Sequence, residues 1–159
     1  KIKALMIIIN VITNNIKWKN FLKNPNIYIE KKIKELNKKN KTFKDKKIFC
    51  TLLLSGNNQI KKLNKKFRNK NASTDVLSFP FYSKKILMNK LNREKEIYLG
   101  DIIINFNKIN YGSNIKKFKF EFDKLWIHGL VHLFGHDHKR DRDFFKMQKI
   151  EKKLLSYLL

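Results

Sequence analysis

Every histidine in the chain falls between His128 and His138, as His128-Gly-Leu-Val-His132-Leu-Phe-Gly135-His136-Asp137-His138. His128 and His132 are four residues apart, which places them on one helical face about one turn from each other. Two imidazoles so placed can share a metal ion. Gly135 then ends the helix and permits a left-handed turn. The chain can fold back there and present His138 as a third ligand. Three neutral imidazoles with one open position form the layout of a catalytic zinc site. His136 lies between Gly135 and Asp137 and cannot easily point where His138 points, so its expected role is to support a ligand, to face substrate, or simply to be exposed. Asp137 either orients a ligand imidazole or forms the turn.

The spacing is that of the metzincin proteases, HExxHxxGxxH, with one departure. Gly129 stands where those enzymes carry their general-base glutamate. Without that carboxylate a peptidase has no evident means of activating water or protonating the leaving amine. The spacing therefore argues for metal-assisted hydrolysis and Gly129 against proteolysis. Three histidines also accept nickel, copper or iron, so the spacing by itself leaves the metal open between these and zinc.

The elements that must position these residues follow from hydrophobic pattern. Met6–Ile12 reads as a buried strand, with residues 1–5 as a possible upstream extension. The basic start resembles an export signal but lacks a small-residue cleavage site. Ile27, Ile29, Ile33 and Leu36, after Pro25, read as an amphipathic helix, followed by a polar loop over Lys38–Lys47. Ile48–Ser55 reads as a strand containing Cys50 as an inert core thiol. Gly56-Asn57-Asn58 reads as a turn, and Gln59–Phe67 as a helix with Ile60, Leu63 and Phe67 on its apolar side. Val76–Phe81 is an expected edge strand because of Pro80. Tyr82–Glu96 reads as a polar, mobile loop, and Ile97–Phe106 as a buried strand. Asn114–Phe134 reads as the long helix carrying the histidines. Asp143–Leu158 closes the chain, with Phe144, Phe145, Met147, Ile150, Leu154 and Leu158 on its apolar side. Four strands and four helices in mixed order imply one layered α/β domain over residues 1–159.

Composition bounds the partners. The 159 residues are 42% apolar and 13% aromatic, enough to build a core and to exclude wholesale disorder. No apolar run approaches the roughly 18 residues that span a bilayer, so no membrane association is expected. A single cysteine excludes a disulfide scaffold and fits a reducing compartment. Thirty-seven basic residues against 13 acidic ones give a net charge of +24. Such a field attracts polyanions, of which nucleic acid is the commonest. Abundant Lys, Asn and Ile are equally the mark of an A/T-rich genome, so the charge has two explanations. Among so many lysines the four arginines, Arg68, Arg93, Arg140 and Arg142, stand out, because a guanidinium forks onto phosphate and an ammonium does not.

Three ordered motifs resemble one known family. His128–His138 is similar to the HGxLHLxGYDH signature of the bacterial YbeY endoribonucleases. Leu63-Asn64-Lys65-Lys66-Phe67-Arg68, followed by Thr74-Asp75-Val76-Leu77-Ser78-Phe79-Pro80, resembles the family's LNxxYR…PTDVLSFP block. Leu99-Gly100-Asp101-Ile102-Ile103-Ile104 resembles its LGDIxI strand. The departures are Val131 for Leu, His136 for Tyr, Phe67 for Tyr and Ser73 for Pro; none removes an expected ligand. The resemblance implies a mixed, roughly four-stranded sheet packed by four to five helices, with the metal site on the C-terminal helix and the turn after it. It implies zinc held by His128, His132 and His138, and cleavage of single-stranded RNA in maturation of the 16S rRNA 3′ end and in ribosome quality control, in the cytoplasm. The expected partners are single-stranded RNA, rRNA and the ribosome, without DNA specificity and with no stable protein partner readable.

Arg68 and His128 are the expected catalytic residues, Arg68 neutralising charge that builds on the phosphoryl oxygens. The metal would activate water, activate the ribose 2′-OH, or hold a phosphate oxygen. Asp75 and Asp101 are candidate supporting carboxylates or local braces, and Ser78 reads as structural. Two other readings stand beside the nuclease: a ribosome-assembly factor with a structural metal, and a metzincin-like zinc peptidase. The lysines, with the Lys139–Arg142 segment, are expected to contact phosphates without reading sequence. Titrating RNA binding against salt should therefore give a steep loss of affinity; a flat response would remove nucleic acid as the ligand.

Overall fold

The computed structural model describes residues 6–40 and 45–159. The expected extension at 1–5, and residues 41–44 of the expected polar loop, lie outside the described residues. Four strands form one sheet: β1 (Met6–Thr13), β2 (Lys47–Ser55), β3 (Val76–Pro80) and β4 (Glu96–Asn105), in the order β1-β2-β4-β3. β1 and β4 flank β2 in parallel, while β3 runs antiparallel to β4 along the far edge. Pro80 is tolerated there because an edge strand can spare a donor. The helices are α1 (Pro25–Lys39), α2 (Asn57–Arg68), α3 (Lys84–Arg93), α4 (Ile115–Leu133) and α5 (Asp141–Tyr157). The mixed, four-stranded sheet packed by helices is as expected.

Local chemistry explains most boundaries. The Asn24 side chain accepts from the Ile27 N–H at 3.2 Å, and Pro25 occupies the first turn of α1. Ile29, Ile33 and Leu36 then recur on one face and are buried, whereas Ile27 is exposed. Asn114 caps α4 in the same way through the Lys117 N–H at 3.2 Å. Phe118, Phe122 and Trp126 are fully buried at four-residue spacing along α4.

The core lies between one face of the sheet and α1, α3 and α4, with α5 packed outside α4. Cys50 is buried in it, and burial followed by the nearby Asp101 carboxylate pushes its thiol pKa up to about 12, which keeps it inert. A buried carboxylate ties α1 to α4: Asp123 accepts from the Tyr28 hydroxyl at 3.0 Å and the Trp126 indole N–H at 2.9 Å, and pairs with Lys32 at 3.2 Å. The other sheet face carries a smaller cluster under α2, built on Ile60, Leu77 and Ile103.

Three expectations are corrected. Tyr82–Glu96 is not a mobile loop throughout; α3 forms within it, capped by Ser83, whose hydroxyl accepts from the Ile86 N–H at 3.5 Å. Only Leu87 and Leu91 are buried along α3, too sparse an apolar stripe to stand out among lysines and asparagines. Gly56-Asn57-Asn58 is not a free-standing turn, because α2 already begins at Asn57. Phe144 and Phe145 do not face the core; α5 buries Met147 instead and leaves both rings exposed.

α4 lies unusually close to the sheet at Gly129. A Cβ built there would stand 2.6 Å from Cγ2 of Ile102, a fully buried side chain on β4. An alanine normally stabilises a helix interior by about 1 kcal/mol over glycine. Here an overpacking cost of about 1–3 kcal/mol should outweigh that gain, so Gly129→Ala should lose up to about 2 kcal/mol net in denaturant unfolding. Adding Ile102→Val should recover part of the loss.

Candidate metal centre

The Gly135 reversal builds the site. α4 ends at Leu133, and Gly135 adopts φ +93°. The Gly135 N–H donates to the His132 carbonyl at 2.9 Å, and the His136 N–H reaches back to the Val131 carbonyl at 3.4 Å. These two bonds are the Schellman pattern, which requires a left-handed residue at this position. The turn carries the chain back across the end of α4 and brings His138 beside His128 and His132. The imidazole centroids are 4.6 Å apart for His128 and His132, 5.1 Å for His132 and His138, and 5.9 Å for His128 and His138. One ring nitrogen from each lies within 4.8 Å of the others.

The hydrogen bonds sort the nitrogens. Nδ1 of His128 lies 2.7 Å from Oε1 of Glu151 on α5, and Nδ1 of His132 lies 2.9 Å from the His136 carbonyl. Both partners accept, so each Nδ1 carries the proton and each Nε2 presents a lone pair. The two Nε2 atoms face each other at 3.1 Å. Two unprotonated nitrogens so close suit a shared cation. Burial, followed by the proximity of the His128 imidazole, lowers the pKa of His132 below the ordinary histidine value, which favours the neutral, ligating form. The donor set therefore fits a metal ion, with carboxylate and carbonyl partners holding the first two rings.

The expected supporting roles are redistributed. Asp137 does not orient an imidazole; its Oδ1 accepts from the His138 backbone N–H at 2.7 Å, so it braces the turn. His136 supports His132 through its carbonyl rather than its ring. Asp75 likewise braces backbone, accepting from the Val76 N–H at 2.8 Å. Asp101 lies away from the histidines, hydrogen-bonded by Tyr98 and lining a groove under α2. Glu151 is the supporting residue that motif reasoning missed. Its only sequence signal is its place one turn beyond the buried Met147 in a lysine-rich helix.

Arg68 lines the same cleft as the histidines. It ends α2, on the opposite face of the sheet, and reaches around edge strand β3. Its Nη2 donates to the Ser78 carbonyl at 2.9 Å, and its guanidinium lies 5.6 Å from the Phe79 ring centroid. The Ser78 hydroxyl points the other way, 3.5 Å from the Gly129 carbonyl on α4. Asn64, buried in α2, holds the following loop through the Ala72 carbonyl at 2.9 Å. Arg68, Lys70, Lys84 and Lys139 line a cleft of about 880 Å³ with His128, His132, His136 and His138. The glutamate of a zinc peptidase would have to occupy the space filled by Ile102 at Gly129.

Comparison with known proteins agrees with this geometry. The family model described as Endoribonuclease YbeY matches residues 12–159. The Endoribonuclease YbeY of Pelagibacter ubique is 44% identical over 155 residues, covering 96% of this chain and 97% of its own. That of Thermodesulfovibrio yellowstonii is 36% identical over 132 residues, covering 81% and 76%. The solution structure of a Thermotoga maritima protein superposes with a TM-score of 0.58 at 24% identity, covering 95% of this chain and 89% of that one, and so shares the fold.

Replacing Glu151 with glutamine keeps the shape but removes the charge that makes His128 a better donor. Chelator-competition titration of Glu151→Gln should show metal affinity lowered about 10- to 100-fold, with circular dichroism unchanged. Unaltered affinity would show that the carboxylate is idle.

Proposed function

Since the chain belongs to the YbeY family of metal-dependent endoribonucleases of rRNA maturation, we propose that it uses one zinc ion per chain, held by His128, His132 and His138, to cut single-stranded RNA. The observation that carries this reading is the convergence of three imidazoles and one guanidinium in a single basic cleft. The proposed setting is the cytoplasm, the proposed substrate the 16S rRNA 3′ end, and the proposed partner the ribosome.

A zinc ion in a three-histidine site supplies Lewis acidity and lowers the pKa of a bound water toward about 7. The chain's own residues do the rest. Glu151 and the His136 carbonyl fix the His128 and His132 rings, so neither must reorient during the reaction. Arg68 spends one N–H on Ser78 and keeps the remainder of its fork for phosphoryl oxygens. Because Ser78 in turn touches α4, the guanidinium and the histidines are held in register through one edge strand. Lys70, Lys84 and Lys139 add sequence-independent attraction for the backbone of the RNA.

One purified sample tests the reading. Metal analysis should find one zinc per chain, and single-stranded RNA should be cut until chelator is added. Arg68→Ala should keep its zinc and cleave about 100- to 1,000-fold more slowly. His132→Ala should lose both metal and activity. Stoichiometric zinc with no cleavage, or cleavage that survives chelator and His132→Ala, would overturn the proposal.

A further inference from the structure

Phe81 follows edge strand β3 and keeps its register, its N–H donating to the Leu99 carbonyl at 2.8 Å. The backbone is therefore fixed, yet the residue is 64% exposed. It differs in this from Phe79, two residues earlier on the same strand. Phe79 is covered by the Phe67 ring at 5.4 Å and by the Arg68 guanidinium. The neighbours of Phe81 meet it almost at right angles: Tyr82 at 4.8 Å and 86°, and Tyr98 at 5.8 Å and 79°. They hold its plane without stacking parallel to it. Phe81 also lines the cleft that contains the three histidines, a cleft lined as well by the cationic Arg68 and Lys84.

An exposed aromatic residue that shares a cleft with cations suits a ligand with a flat π face and negative charge. A single-stranded nucleotide has both, whereas a duplex base is already stacked on each face and offers neither side. We infer that Phe81 is a stacking platform for an unpaired base of the RNA, next to the phosphate presented to the histidines. The inference rests on the nuclease reading above and supplies a physical basis for single-strand preference: Arg68 and the lysines take phosphates, which duplex and single strand share, and Phe81 takes the base that only a single strand can offer. Stacking of this kind tolerates any base, so it selects strandedness rather than sequence.

The test uses the metal-loaded full chain and a series of short 2′-O-methyl RNA strands. Each strand carries one 2-aminopurine, whose fluorescence falls when the base stacks. Quenching is expected at one position of the series. Phe81→Leu keeps an apolar side chain but has no π face; it should abolish that quenching, weaken single-strand binding about tenfold and leave duplex binding and metal content unchanged. Phe81→Tyr should restore both quenching and affinity. If Phe81→Leu quenches and binds as the parent does, the stacking role is wrong, and an unchanged parental cleavage rate on ordinary RNA leaves the nuclease reading standing. If the parent neither binds nor cuts single-stranded RNA, both fall together.

Discussion

The close approach of α4 to the sheet at Gly129 governs the rest of the site. With no side chain at that position, the helix rests directly on Ile102. At that separation the Ser78 hydroxyl comes within 3.5 Å of the Gly129 carbonyl, and the Ser78 carbonyl on the outer side of the same residue receives Arg68. A guanidinium from one face of the sheet is thereby placed in the same cleft as imidazoles from the other. A bulkier residue at 129 would push α4 outward and carry His128 and His132 away from β3. The glycine that removes a protease's general base is thus the one that assembles this cleft.

The second constraint is polarity around the imidazoles. A histidine is useful as a ligand only when its proton sits on the other nitrogen. Here two different elements fix that choice. Glu151 comes from α5, which packs outside α4, and the His136 carbonyl comes from the turn that Gly135 allows. α5 is therefore more than a lid on the core, because it supplies the one carboxylate, among the described residues, bonded to a ring of the cluster. The helix closing the fold and the turn preceding it converge on the same pair of rings.

Charge acts at longer range. A net charge of +24 over 159 residues draws any polyanion, whatever the origin of the lysine bias. What gives the field a focus is shape: the cleft gathers Arg68, Lys70, Lys84 and Lys139 with the histidines, and Phe81 lines it too. Diffuse attraction then becomes oriented binding, with phosphates and bases meeting different kinds of side chain.

Read alone, the sequence determined the histidine triad, because helical spacing and a stopping glycine are local rules that need no knowledge of the rest of the chain. It also determined the strands, whose apolar runs are short and continuous, and the edge position of β3, which Pro80 marks. The motif resemblance carried Arg68, but not the route by which it arrives. Helix α3 escaped because two buried leucines among polar residues leave little periodicity, and the outward turn of Phe144 and Phe145 escaped because nothing local says which side of α5 meets α4. Glu151 lies 23 residues from His128, and Arg68 reaches the site only around a strand edge. Such pairings depend on how helices stack on a sheet. Only the tertiary structure could decide them, since packing joins residues whose separation along the chain carries no signal of contact.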